Sequence, residues 1–457
     1  LFFSGVFLSS TVKIKSVQTF KLEKVPDLIH LSYLTGLKKG RVLFFSSGLH
    51  PVHGRFTVLS LNPLFSIKSD FGELLKALFS IKDFSQINGM PMALFSGWMN
   101  YECLEFIEKV DANKKSLQVV PDFHFIFSDS FIVIDNFEKR AELVLLETNH
   151  SVTSINERKQ LYFEELAADI PDIDYELGAI KAKALISKKK YVESVNEIRR
   201  RIGAGDVYQV NFTYPVEIKT EIPSWVLFYK YLAKNHADYA AFINSSEVEV
   251  LSISPECFFR IENGEKVSSF PIKGTIKKGI NQQEDQALKF ELAQSRKDFA
   301  ELAMIVDLIR NDIGKVANPG TVKVEKHAEL FEFPTLFHLV STVSGEIEKE
   351  KAIELFKSLF PGGSITGAPK ISAMKIISEL EEYKRNIYTG AIGFTGLNGT
   401  AVFNIPIRTV QRVDNVLIYS TGGGITFKSD PEKEFEETLV KTRAFLNIFD
   451  EAEMVFE

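Results

Sequence analysis

Residues 389–421 read TGAIGFTGLNGTAVFNIPIRTVQRVDNVLIYST. Apolar, β-branched and aromatic residues gather there in three short runs, Thr389 to Thr395, Thr400 to Val410 and Val416 to Thr421. Asn398-Gly399 and Asp414-Asn415 separate the runs and supply the turn residues of tight hairpins, so three antiparallel strands are expected. Working outward, Ser252 to Arg260 and Lys266 to Ile272 repeat the pattern about Asn263-Gly264. Arg41 to Ser46, Phe56 to Leu61 and Phe131 to Asp135 do so nearer the N-terminus. Helical spacing marks Asn156 to Ala168, Ser187 to Ala204 (stopped by Gly205), Gln283 to Ile313, Pro369 to Tyr383 and Pro431 to Ile448. A proline at the first turn suits a helix start, and a glycine suits its end. Strands and helices do not alternate as regular βαβ units. The expected class is therefore α+β, with antiparallel sheets packed in a sandwich-like core flanked by helices.

The texture changes at Asp169 to Leu177, polar and proline-marked. We place a boundary there, between a sheet-rich region over residues 1–170 and a second region over 180–457. A net charge of −6 argues against a partner held by phosphate neutralisation, so no nucleic acid is expected. Cys103 and Cys257 are the only cysteines and lack zinc or redox spacing, which fits a reducing cytoplasm. The apolar stretch Leu1 to Val12 has no leading basic residues and falls short of the ~20 residues that cross a bilayer. Neither a signal peptide nor a membrane segment is expected. Gly422-Gly423-Gly424 lacks both the G-x-G-x-x-G and the Walker spacing and is a weak nucleotide signal.

Two helices each carry paired carboxylates three residues apart: Asp298 with Glu301, and Glu434 with Glu437. Residues at that spacing share a helix face. From spacing alone the pairs read as solvated acidic faces. As a set of four oxygen donors they suit Mg²⁺, which takes few protein ligands and keeps positions for water and an anionic substrate. Glu256 and Lys273 fall on the two arms of the hairpin turned at Asn263-Gly264, which brings a carboxyl and an amine toward one cleft.

The surrounding blocks are S-P-E at Ser254 to Glu256, P-I-K-G-T at Pro271 to Thr275, M-I-V-D-L-I-R-N-D at Met304 to Asp312, F-P-G-G-S-I-T-G-A-P-K at Phe360 to Lys370, and Asp430-Pro431 before Glu434. In this order they resemble the signature blocks of the chorismate-binding enzymes, densely over Lys190 to Phe449. Only Ser47-Gly48, His50-Pro51 and Arg55-Phe56 match in the N-terminal part. The resemblance implies the fold of an anthranilate synthase component I and Mg²⁺ held by Glu301 and Glu437, with Asp298 and Glu434 in support. It implies anchors for the carboxylates of chorismate in Arg408, Lys441, Ser364 and the backbone of Gly422, Gly423 and Gly424. Glu256 becomes the general-acid candidate, Lys273 the nucleophile candidate and His338 an auxiliary. Without the resemblance, Glu256 and Lys273 would read as exposed, His338 as a core histidine and Arg408 as a surface cation on a strand.

The family divides by nucleophile. Water-adding members resemble one another in a lysine base where Tyr208-Gln209-Val210-Asn211 holds Gln209; glutamine cannot deprotonate water, so ammonia is implied. P-I-K-G-T, and serine rather than threonine at Ser364, are similar to the branch that aminates C4 of chorismate toward 4-aminobenzoate and folate. The branch that makes anthranilate has P-I-A-G-T and is the alternative; its tryptophan-sensing L-L-E-S segment is not matched by L-F-F-S-S-G at Leu43 to Gly48. A catalytically silent relative is a third reading, disfavoured because every candidate residue is present. The chain carries no cysteine in a nucleophile-elbow context and no length for a fused glutaminase or lyase, so a separate glutamine amidotransferase subunit is expected to supply ammonia.

Overall fold

A computed structural model of the chain describes residues 12–46, 54–79, 91–111, 114–171, 176–332 and 336–457. Residues up to Thr11, Ser47-Gly48, His50-Pro51 and 172–175 within the expected boundary lie outside the described residues. In chain order the elements that matter for the site are β1 (Arg41–Phe45), β2 (Phe95–Met99), α1 (Lys188–Ala204), β3 (Gln209–Lys219), β4 (Tyr239–Asn244), β5 (Glu249–Ser254), β6 (Cys257–Glu262), β7 (Lys266–Ser269) and β8 (Ile272–Lys277). They continue as α2 (Gln282–Gln294), α3 (Arg296–Gly314), β9 (Leu336–Glu346), α4 (Ala352–Leu359), β10 (Gly367–Ala368), α5 (Lys370–Leu380), β11 (Ala391–Thr395), β12 (Ala401–Asn404), β13 (Thr409–Val413), β14 (Val416–Ile425) and α6 (Pro431–Leu446).

The expected α+β class holds. One sheet runs β1-β4-β5-β13-β14-β3, and the other β8-β9-β7-β6-β12-β11-β2, each with further strands at its ends. Val42, Ala241, Ile243 and Val250 of the first pack on Trp98, Ile126 and Ile392 of the second, so the sheets face one another across an apolar layer. The outer face of the first is covered by α1 and α6 through Tyr191, Val195, Phe435 and Phe445. Both sheets mix the two sequence regions: Leu43 pairs with Phe242, and Gly97 with Gly393. The change of texture at 169–177 therefore separates stretches of sequence and not sheets.

Three runs read as single strands are interrupted. Ser252 to Arg260 becomes β5 in one sheet and β6 in the other, with Pro255 at the crossing. Thr400 to Val410 becomes β12 and β13 around Pro406, again in different sheets. The third break, at Phe270-Pro271, leaves β7 and β8 along β9 in one register, Lys266↔Glu346 and Ile272↔Val340. Proline has no N–H for a ladder, so each is a place where a strand must stop or change partner. The helix expected over Gln283 to Ile313 likewise divides at Ser295, whose hydroxyl accepts from the Asp298 N–H at 3.3 Å and caps α3. The run after Tyr419 is longer than expected. It continues through the three glycines to Ile425, paired throughout with β3.

Candidate active site

The corners made by those prolines hold the candidate catalytic side chains. At the S-P-E corner the Ser254 hydroxyl donates to the Ile405 carbonyl at 2.6 Å and accepts from the Glu256 N–H at 3.2 Å, while the Ile405 N–H donates to the Glu256 carbonyl at 3.1 Å. This staple fixes the backbone of Glu256 between the two strands. Its carboxyl is buried, and burial raises its pKa against the lowering effects of the neighbouring Ser364 hydroxyl and the Lys273 charge. Protonation is thereby favoured, as a general acid requires.

Lys273 lies on β8, half-buried in a recess. Desolvation lowers its pKa and Lys441 lowers it further, against Glu256, Glu301 and Glu437, which raise it. The register slips at the next residue: Lys273 pairs with Leu339, and Thr275 with His338. Gly274 makes that bulge at φ +75°, and a Cβ there would come within 3.0 Å of the Asp298 Cβ. The glycine of P-I-K-G-T is thus required by a left-handed backbone and by the close approach of α3.

Thr275 Oγ1 and His338 Nδ1 lie 2.7 Å apart. Burial, and then the charge of Arg408, lower the His338 pKa to about 4, so the imidazole is neutral near pH 7. Arg408 is not on a strand. It sits at φ +50° between β12 and β13, with its carbonyl accepting from the Ile253 N–H at 3.1 Å. Arg408 is half-buried, and its charge acts to lower the pKa of His338, Tyr231 and Tyr419 around it. Because β13 begins only after this bend, its ladder with β14 runs from Val410↔Tyr419 to Val413↔Val416. β14 from Ser420 to Ile425 is thus paired on one side alone. The N–H groups of Asn211 and Thr213 donate away from β14, to Thr366 and Glu381. Their partners Gly424 and Gly422 are then at non-hydrogen-bonded positions of the ladder and turn their amides toward the open side. Lys441 Nζ donates to the Gly422 carbonyl at 2.9 Å, which joins α6 to this edge.

The acidic residues divide. Glu301 faces Lys297 at 3.9 Å, and Glu437 faces Lys441 at 2.8 Å. Lys297 also lowers the pKa of both Glu434 and Glu437, and Glu301 and Glu437 both act on Lys273. One turn of α3 and two turns of α6 therefore share a single charged neighbourhood at Lys273. Glu434 is half-buried; burial raises its pKa and Glu437 adds to the rise. Asp298 contacts Ser295 and Gly274, at the start of α3. Among the described residues no three His, Cys, Asp or Glu are gathered into a ready metal cluster.

Gln209 begins β3 with both amide atoms buried and without a hydrogen-bond partner; its Nε2 would be 2.8 Å from a Cβ on Gly424. Three residues were not singled out from the sequence. Lys297 mirrors Lys441 at four-residue spacing from a glutamate, a signal that was legible. Asn211, two after Gln209 on the same strand face, donates to the Ser364 carbonyl at 3.1 Å. Tyr191 of α1 has a buried hydroxyl without a partner, 3.9 Å from where a Gly423 Cβ would lie. A cavity of about 630 Å³ lies elsewhere, against Phe44, Arg55, Asp238 and Arg260.

Residues 54–447 match the family model for the chorismate binding enzyme. The chain is 32% identical over 377 residues to the aminodeoxychorismate synthase of Streptomyces griseus, covering 80% of this chain and 52% of that one. It is 40% identical over 263 residues to aminodeoxychorismate synthase component 1 of Salmonella typhimurium, covering 57% and 58%. The match thus spans little more than half the length of these relatives. The crystal structure of anthranilate synthase component I from Streptococcus pneumoniae superposes with a TM-score of 0.78 at 28% identity, covering 87% of this chain and 93% of that one. Among the described residues no helix is long and apolar enough to cross a membrane.

Proposed function

Because the chain belongs to the chorismate-binding enzymes, we propose that it acts as component I of an aminodeoxychorismate synthase, replacing the C4 hydroxyl of chorismate with an amino group. The observation that carries this is the meeting of Glu256 and Lys273 in one recess, with burial favouring the neutral acid on one and the neutral amine on the other. The Lys273 nitrogen forms a bond to C2 while the C4–O bond breaks, and the proton of Glu256 leaves with that oxygen as water. Ammonia then bonds to C4, the C2–N bond breaks and Lys273 is released. The proton shed by the new amine returns to Glu256. Atoms balance as chorismate plus ammonia giving 4-amino-4-deoxychorismate plus water.

Arg408 and the open amides of Gly422 and Gly424 supply cationic and N–H donors for the substrate carboxylates, and Ser364 a hydroxyl beside Glu256. Neutral His338, fixed by Thr275, lines the same region without adding charge. Gln209 offers an amide where water-adding relatives have a base, consistent with ammonia as nucleophile. Two facing helices with carboxylates at Glu301, Glu434 and Glu437 fit Mg²⁺, which needs only one or two protein carboxylates and keeps several waters. When bound there it would neutralise substrate carboxylate charge. A glutamine amidotransferase subunit would deliver the ammonia. Product identification tests the proposal: purified chain, chorismate, Mg²⁺ and an ammonium salt should yield the C4-aminated product, and an ortho-aminated product would instead identify an anthranilate synthase.

A further inference from the structure

We propose that Asp312 and Lys370 are positioning residues that hold Ser364, whose buried hydroxyl makes no hydrogen bond of its own, beside Glu256 in the small cavity that both line. The proposal rests on the reading above for the role of Glu256. Neither side chain takes part in the proposed chemistry, although Asp312 ends M-I-V-D-L-I-R-N-D and Lys370 ends F-P-G-G-S-I-T-G-A-P-K. The structure joins them. Lys370 Nζ lies 2.6 Å from Asp312 Oδ2, with side chains 10% and 3% exposed. The same ammonium donates to the carbonyls of Ser358 at 3.1 Å and Leu359 at 3.0 Å, and the Ser358 hydroxyl donates to the Asp312 carbonyl at 2.6 Å. Carbonyls in the last turn of a helix have no partner within it. One buried charge therefore ties the end of α3, the end of α4 and the start of α5 together.

Residues 360–369 close the gap between α4 and α5, and Ser364 is in their middle. The far side of this loop hangs on β3 and its neighbours: Asn211 donates to the Ser364 and Thr366 carbonyls at 3.1 and 2.9 Å, and Arg385 to the Ile365 carbonyl at 3.0 Å. The near side lies hard on α3, where a Cβ on Gly363 would come within 2.2 Å of Leu308. Glu256, Asp312, Leu359, Gly362, Gly363 and Ser364 line one small cavity. A loop clamped at both ends and in contact along its length has little freedom to move Ser364 from Glu256. A buried ion pair is often no more stabilising than apolar side chains of the same volume, which leaves fixing a geometry as its use here.

The design of the test follows from Lys315, 56% exposed, which also pairs with Asp312 at 2.9 Å. In Lys370→Met the aspartate keeps a counter-charge, and only the tie to the loop is lost. The titration of Glu256 in the full chain is read by infrared difference spectroscopy, with its carboxyl band assigned by loss in Glu256→Gln; this needs no turnover. Lys273 and Cys257 face the carboxyl and are the same in every variant. Ser364 favours the ionised form of Glu256, so Ser364→Ala and Lys370→Met should each raise the pH at which Glu256 ionises. The double variant should match Ser364→Ala alone. With ammonium, Lys370→Met should lose on the order of tenfold to a hundredfold in kcat with little change in KM, the scale of a small misplacement at a reacting group. Asp312→Asn, which keeps the shape, repeats the test should Lys370→Met not fold. A Lys370→Met protein with lower Tm but unaltered Glu256 titration and kcat, or additive effects in the double variant, would overturn the proposal. Failure of the wild type to aminate C4 would overturn the functional reading and leave the infrared result to stand by itself.

Discussion

Glu256 and Lys273 stand at the splayed mouth of a hairpin. Their arms pair only from Arg260↔Ser268 to Glu262↔Lys266, and beyond that β8 stays with β9 while the other arm turns at Pro255 toward the larger sheet. Each side chain still acts on the other's titration. A closed ladder would have filled this space with backbone. The two prolines open it, and the opening becomes the recess.

Neutral His338 makes stability depend on acid pH. Its folded pKa of about 4 lies below its ordinary 6.5, from burial first and Arg408 second. Between those values the unfolded chain binds the proton and the folded one does not, so stability is full above about pH 6.5 and falls as pH drops toward 4. The loss attributable to this one group is about 3 kcal/mol. Urea unfolding at pH 7 and at pH 4.5 should show a smaller acid loss in His338→Gln than in the wild type. An equal loss in both would show that the imidazole is charged in the folded state.

The class of fold was legible because its signals are local: turn dipeptides such as Asn263-Gly264, period-two apolar runs, and caps such as Ser187 and Gly205. The caps are in place, with the Ser187 side chain accepting from the Lys190 N–H at 3.2 Å and Gly205 at φ +88°. What the strand pattern could not tell is which sheet a strand joins after a proline, because Ser252 to Arg260 alternates in the same way on either side of Pro255. The glycines at 422–424 were hidden for the opposite reason. Three residues without side chains carry no periodicity, and only the pairing partner makes them a strand. The site residues were legible through whole motifs and not one by one. Asn211 went unnoticed because its importance lies in what faces it, whereas Lys297 repeats the four-residue spacing of Lys441 from a glutamate and could have been read.

Carboxylates on two facing helices predict a metal requirement that one substitution can expose. Glu301→Gln and Glu437→Gln keep the side-chain shape and remove a ligand charge. Each should lower turnover by on the order of 10²-fold or more, as expected when an electrostatic contact to the transition state is lost. Circular dichroism should be unchanged, since both groups border the recess and not the core. EDTA should abolish wild-type activity, and Mg²⁺ should restore it. Full activity in EDTA would remove the metal from the site.

Ammonia supply gives a test independent of the metal. On the proposed reading the chain alone should use ammonium salts but not glutamine, with a rate that climbs with pH as more NH₃ forms. Addition of a glutamine amidotransferase subunit should confer glutamine use at lower pH. Hydrolysis of glutamine by the purified single chain would contradict the division of labour.

Lys273 decides between a covalent and a purely electrostatic role. With chorismate and Mg²⁺ but no ammonia, the second half of the reaction cannot occur, and an adduct should accumulate that peptide mapping places on Lys273. Its rate of formation should follow two ionisations of opposite sense. It rises as Lys273 loses its proton, below the ordinary lysine value of 10.5 because burial and Lys441 lower it, and falls as Glu256 loses its own, above the ordinary 4.5 because burial raises it. Lys273→Ala should form no adduct and make the C4 product slowly. Lys273→Arg should not recover it, because a guanidinium stays protonated and cannot attack. If Lys273 served only to attract the substrate carboxylates, arginine would keep much of the activity, no adduct would appear, and the pH dependence assigned to the lysine would be absent.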